Sequence, residues 1–106
     1  MKIFYLEIVT AAADETVNAL EKTHGVTFGD AVPELGNART ADLKDGGKIS
    51  VRAPLRDDEG PVVRPYILVE DIQGAIKAAE EAGATVALPP MEIPGQGLFA
   101  IYILGG

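Results

Sequence analysis

The sequence predicts an α+β fold in which a strand–helix–strands unit occurs twice. Three observations predict it. Two β-rich runs, residues 2–10 and 65–69, begin about 60 residues apart. Each leads into a segment with apolar residues at helical spacing that ends at a glycine, Gly25 and Gly83. Each helical segment is followed by short strand-like runs broken by turn residues. An internal duplication explains this order. A single ferredoxin-like α+β sandwich, also built from βαβ-type units, is the alternative that periodicity alone leaves open.

In the first half, residues 2–10 are β-branched and aromatic. Alternation puts Phe4, Leu6 and Ile8 on one face and Tyr5, Glu7 and Val9 on the other. A helix is expected over Ala13–His24, with Asp14 as cap or first-turn acid, Gly25 as its stop, and a stripe of Val17, Leu20 and His24. Residues 26–63 read as short strands and turns. Thr40–Leu43 and Lys48–Ala53 flank Asp45-Gly46-Gly47 as a hairpin. In its second arm Ile49, Val51 and Ala53 face one way, and Lys48, Ser50 and Arg52 the other. The acidic, proline-bearing stretch 55–63 reads as a linker.

In the second half, Pro65–Val69 reads as a strand and Asp71 as the cap of a helix running to about Ala82. Ile72, Ala75, Ile76 and Ala79 form its apolar stripe. Thr85–Leu88 is an expected strand, Pro89-Pro90 and Pro94-Gly95 expected turns, and Leu98–Leu104 an apolar strand.

The 106 residues fit one domain, 1–106, with module one at 1–54, the linker at 55–63 and module two at 64–106. A formal charge of −7 argues against nucleic acid and anionic membrane partners, which require basic patches. The lack of Cys excludes disulfides, Cys-ligated zinc and thiol nucleophiles. No apolar run reaches the roughly 18 residues of a membrane span. Met1-Lys2-Ile3-Phe4 enters a strand directly rather than a secretory leader, so the expected location is cytoplasmic.

Arg64-Pro-Tyr-Ile-Leu-Val-Glu-Asp-Ile, the helix ending Ala82-Gly-Ala-Thr-Val, and Pro89-Pro-Met-Glu-Ile-Pro-Gly-Gln-Gly-Leu-Phe-Ala resemble the second module of the glyoxalase/bleomycin-resistance/dioxygenase (vicinal oxygen chelate) superfamily. Tyr5-Leu-Glu-Ile-Val-Thr resembles a subgroup whose first strand carries an aromatic–x–Glu–Ile pattern. The resemblance spans nearly the whole chain, and its specific motifs lie mainly in residues 64–100. It implies two βαβββ modules whose sheets curl into an open half-barrel around a cleft, holding a small organic molecule, often with a divalent metal. It also implies a homodimer. Metal-dependent members of the superfamily place a His on the first strand, a His at the start of the second module's first strand, and a Glu on the last strand. Here the first position falls at Tyr5 or a neighbour and the second at Arg64. Arginine has no lone pair to donate and a neutral tyrosine is a poor ligand. The expectation is a member with no metal and no cofactor. The family's closing strand would follow Leu104, where the sequence reads Gly105-Gly106. That strand reads as missing, with a partner chain covering the edge.

On this pattern Glu7 is a candidate catalytic base, ligand anchor or lone metal anchor. Its alternative is a structural pair with Arg52 or Arg64. Arg64 and Arg52 are candidates for recognising a carboxylate or phosphate through the planar guanidinium fork, against plain ion pairing. Tyr5, Tyr66 and Tyr102 are candidate pocket walls, against core packing. His24, the one histidine, sits where the helix dipole favours a cation, and one His makes neither a metal site nor a triad. Pro94-Gly95-Gln96-Gly97 is a turn, not a phosphate loop. Three functions follow: a metal-free small-molecule-binding protein, a lyase-, isomerase- or dioxygenase-like enzyme using Glu7, or an interaction module whose pocket its own side chains fill.

Overall fold

The structure is a computed structural model that describes residues 1–105. It is a mixed α+β chain containing β1 (Lys2–Val9), α1 (Ala13–His24), a short 3-10 turn (Pro33–Leu35), β2 (Arg39–Asp42), β3 (Lys48–Arg52), β4 (Val62–Leu68), α2 (Ile72–Glu81), β5 (Thr85–Ile93) and β6 (Gly97–Ile103). It divides into two compact units, Met1–Leu68 and Val69–Gly106.

The first unit is a four-stranded open sheet of order β2-β3-β1-β4. β1 runs parallel to β3 and antiparallel to β4. A parallel pair needs a long crossover, which α1 and the loop after it supply. α1 ends at Gly25 in the left-handed conformation (φ 70), its N–H bonded to Glu21 O. Its start differs from the expectation: the N-cap is Ala12, without a side-chain cap, and Asp14 is a first-turn acid. Val17 of α1 packs with Phe28, Ala41 and Val51, ringed by Ile8, Ala13, Leu20, Val26 and Ile49. Burial of each aliphatic contributes roughly 1.5–3 kcal/mol. His24 is exposed and lies outside the stripe. The Glu21 carboxylate instead closes the following loop by accepting from Phe28 N at 2.9 Å.

The alternation expected for β1 holds from Tyr5 onward. A register shift between Ile3 and Tyr5 makes Phe4 the irregular residue. β4 begins at Val62, earlier than expected, and Pro65 lies inside it opposite Leu6. Proline is tolerated there because β4 is an edge strand. Among the described residues each half provides a strand, a helix and two strands, one strand fewer than βαβββ. In the first half the spare length, 26–38, is taken by the Pro33–Leu35 turn and one bridge, Val32 to Ala38. Gly36 (φ 68) and Asn37 (φ 63) reverse the chain there in left-handed conformation.

In the second unit α2 packs on the antiparallel pair β5–β6. The stripe Ile72, Ala75, Ile76 and Ala79 is half-buried, as its spacing predicts. Pro89 and Pro90 do not form a turn. They sit inside β5 at a register shift between Leu88 and Met91, where the ladder does not call on the N–H groups they lack. The reversal comes at Ile93–Gly97, with Gln96 N on Ile93 O at 2.9 Å.

Asp71 caps α2 by accepting from Gly74 N at 3.1 Å. A Cβ on Gly74 would stand 2.5 Å from Asp71 Oδ2. Gly74→Ala therefore trades a helix-propensity gain of about 1 kcal/mol against loss of a cap worth about 1 kcal/mol. Chemical denaturation is expected to show almost no net change in wild type. In an Asp71→Ala background the same substitution should stabilise by about 1 kcal/mol. Equal effects in both backgrounds would remove the cap argument.

Candidate functional site

One face of the first sheet lies under α1 and is apolar. The opposite face is polar across all four strands. Register and alternation place Thr40, Ser50, Glu7 and Arg64 in one row across the sheet, and Asp42, Lys48, Tyr5 and Tyr66 in the next. Arg52 follows Ser50 on that face, beside Val9. A sheet face that is polar and yet largely shielded is costly unless its groups bond one another.

They do so around Glu7, whose side chain is 12% exposed. Glu7 Oε1 accepts from Arg64 Nη1 at 2.5 Å and from the Tyr66 hydroxyl at 3.1 Å. Glu7 Oε2 accepts from Arg52 Nε at 3.1 Å. Arg52 also grips a residue from the loop between β3 and β4. Its Nη1 and Nη2 meet Glu59 Oε1 and Oε2 at 3.0 and 2.8 Å, a two-toothed fork. Arg52 Nη1 further donates to Ala53 O at 3.3 Å. The four charged groups, two carboxylates and two guanidiniums, sum to zero. Tyr5 stacks edge-to-face on Tyr66, with ring centroids 5.6 Å apart.

The electrostatics follow the bonding. The Glu59 fork, acting first, and Glu7 beside it raise the Arg52 pKa against the cost of burial. Arg52 and then the Leu55 N–H pull Glu59 down to about 2. Burial and then the Glu7 charge push the Tyr66 phenol up to about 12, and burial likewise raises Tyr5. Burial opposes the charge on Arg64, and Tyr66 and Glu7 outweigh it. The Ser50 hydroxyl is wholly buried in the Tyr5 environment and meets the geometry of no hydrogen bond among the described residues.

The structure thus brings together five of the six expected site residues: Tyr5, Glu7, Arg52, Arg64 and Tyr66. Tyr102 stands on β6 in the second unit, 39% exposed. Sequence reasoning missed Glu59, a loop acid among other loop acids that no spacing rule singles out. It also missed Ser50 as a member of the central row. The two arginines differ in availability. Arg52 is 8% exposed and uses four of its five N–H donors internally. Arg64 is 31% exposed, gives one donor to Glu7 and also engages the Tyr66 hydroxyl. Two open depressions border the cluster at its loop end. One, of about 560 Å³, includes Glu59, Thr10, Pro54 and Leu55 in its wall. The other, of about 450 Å³, includes Arg52, Asn37, Arg39 and Asp14.

The donor set does not fit a divalent metal. Two guanidiniums already bracket the Glu7 carboxylate, and the groups beside it are arginine and tyrosine side chains, poor ligands for a cation. Among the described residues no three His, Cys, Asp or Glu side chains converge.

Removing a partner from a buried ion-pair group leaves uncompensated charge, at a cost of about 3 kcal/mol or more. Glu7→Ala should show that loss in urea unfolding, and Glu7→Gln, which keeps an acceptor, a smaller one; a loss below about 1 kcal/mol for Glu7→Ala would contradict the hub. Glu59 is depressed in the fold from an ordinary value near 4.5 to about 2. Its contribution to stability is complete above about 4.5 and is lost as pH falls towards about 2. Glu59→Gln should flatten the acid limb of the stability curve in that window, and an unchanged limb would contradict the assignment.

No protein-family model matches the chain, and no curated protein matches it in sequence. Its fold is shared with solved structures. A methylmalonyl-CoA epimerase of Streptomyces coelicolor, in complex with 2-nitronate-propionyl-CoA, superposes with a TM-score of 0.62 at 20% identity, over 95% of this chain and 87% of that one. A methylmalonyl-CoA epimerase in complex with methylmalonyl-CoA and ammonium gives 0.62 at 21% identity, over 94% and 84%. At this identity the likeness carries the fold alone: the chain shares the mixed α+β fold of these epimerases, which fits the glyoxalase type at a coarse level.

Proposed function

We propose that this chain is a metal-free binding protein for a small organic acid, with Arg64 as the group that takes the ligand's carboxylate. The observation that carries the reading is the state of Arg64. Its guanidinium is held in place by Glu7 and faces Tyr66, and it keeps further N–H donors on a side chain 31% exposed. A fixed fork loses little freedom on meeting a carboxylate, which favours binding. Tyr5 and Tyr66 supply an aromatic wall with polar tips beside it. In this reading Glu7 positions Arg64, and its oxygens are engaged by three hydrogen bonds within the cluster. The solved structures sharing the fold include an epimerase holding methylmalonyl-CoA, an acid carried on a thioester, so acids and acyl-CoA thioesters are the first ligands to try. The reading takes the chain as one cytoplasmic glyoxalase-type domain of two modules that acts as a homodimer.

A competing reading, a module filled by its own side chains, is favoured by one observation: Glu59 already occupies the Arg52 fork. Thermal unfolding with a panel of short-chain dicarboxylates and acyl-CoA thioesters separates the two. Binding must raise the melting temperature, by about 2.7 kcal/mol of stabilisation at a hundredfold excess over Kd. Arg64→Gln should abolish the rise while the protein remains folded. No response of wild type to any of them would leave the self-filled reading. On the same sample, about one metal per chain by elemental analysis would overturn the metal-free part, and a monomer mass by light scattering the dimer.

A further inference from the structure

The Arg52–Glu59 fork has the geometry of a ligand complex, except that the ligand is part of the chain. Both carboxylate oxygens of Glu59 meet separate guanidinium nitrogens at 3.0 and 2.8 Å, as a free carboxylate would. Glu59 does not come from the sheet. It comes from the non-strand segment between β3 and β4, whose neighbouring residues Leu55, Arg56, Asp57, Asp58 and Gly60 are exposed. The segment's other polar contacts are local: Arg56 to Asp58, Glu59 N to Arg56 O, and Leu55 N to Glu59 Oε1 at 2.7 Å. The fork is thus the polar contact that ties the tip of this segment to the sheet. Pro54 bounds it at one end and Gly60-Pro61 at the other.

Each member of the ion pair borders a depression. Glu59 lines the 560 Å³ depression and Arg52 the 450 Å³ one, and the two share Ala11, Pro54 and Leu55. The ion pair therefore contributes one member to each. Arg52 would keep its aim without Glu59, because Nε stays on Glu7 and Nη1 on Ala53 O. An incoming carboxylate would replace Glu59 charge for charge, so the cluster would stay neutral and no buried charge would be left alone.

We infer that Arg52 is a second carboxylate subsite, held shut by Glu59 as a built-in occupant and opened when a ligand carboxylate displaces it. The inference deepens the organic-acid reading above and rests on it for the ligand class. The held-down pKa of Glu59 means that the occupant stays charged at neutral pH, so competition rather than protonation releases it.

The test uses propionate, the free form of the Glu side chain, added to the full chain and followed by nuclear magnetic resonance. Two results are expected. Propionate should speed hydrogen exchange at the Leu55 amide, which loses its bond to Glu59 when the segment lifts. Glu59→Gln should bind propionate about tenfold more tightly than wild type, since the competing occupant is gone. If Glu59→Gln does not fold, the Leu55 amide of wild type decides alone. An unchanged Leu55 amide, with no gain in affinity for Glu59→Gln, overturns the subsite. Arg64→Gln separates the two readings. Weaker propionate binding in Arg64→Gln with no effect of Glu59→Gln keeps the organic-acid site and removes the latch. Tighter binding in Glu59→Gln with no effect of Arg64→Gln keeps the subsite and removes Arg64 from the reading.

Discussion

The Glu7 carboxylate is the constraint on which the first unit depends. β1 is the strand next to both β3 and β4, and Glu7 stands near its centre with a guanidinium on either side. A carboxylate at 12% exposure cannot be left half-paired at low cost. Both neighbouring strands must therefore present arginine at the right register. A one-residue slip of β4 would turn Arg64 to the other face and replace it by an apolar neighbour. The ion pairs thus act less as a source of stability than as a specification of register, and the apolar face under α1 supplies the burial energy.

How far the sequence carries follows from where each interaction is made. The helices were legible because their signals are local: Gly25 after α1, Asp71 before α2, and the Ile72, Ala75, Ile76, Ala79 stripe. The two faces of β1 and β3 were legible because alternation is also local, while Arg64 and Arg52 became candidates through the family resemblance. Their mutual bonding was legible only as an alternative, a pair of Glu7 with Arg52 or Arg64; that both bond it at once was not, since Glu7 and Arg64 are 57 residues apart and the β1–β4 pairing joins them. Glu59 was invisible for a further reason. It lies in a run with Asp57 and Asp58, and nothing in the run tells which acid reaches inward. The errors have the same origin. Pro89-Pro90 reads as a turn by propensity, but a register shift lets a strand pass through it. His24 fits the helical period, but the stripe ends before it at Leu20.

Shared fold and shared chemistry separate clearly here. The superposition on epimerases covers nearly the whole chain, yet only about one residue in five is the same. A scaffold carries over at that distance; a site does not. What this chain places on its polar sheet face is a neutral set of two acids and two guanidiniums flanked by tyrosines. In such a set the carboxylate oxygens are already taken up by guanidinium N–H groups. The organic-acid reading proposed above rests on this set, since guanidinium forks recognise carboxylates without any change of protonation.

The contrast between Arg64 and Arg52 then decides how the face can work. Both are arginines on strands that flank β1, and both lean on the same carboxylate. One is on the edge strand and keeps donors towards solvent. The other is on an inner strand and is covered by a loop acid. Glu7 takes one arginine on each of its oxygens, and the charge that the second brings is balanced by Glu59. Arg52 and its loop partner form a charge pair that lies off the pairing of β1 with β4. A pair of that kind, built on one strand member and one exposed segment, is the part of the cluster on which the displacement inferred above rests.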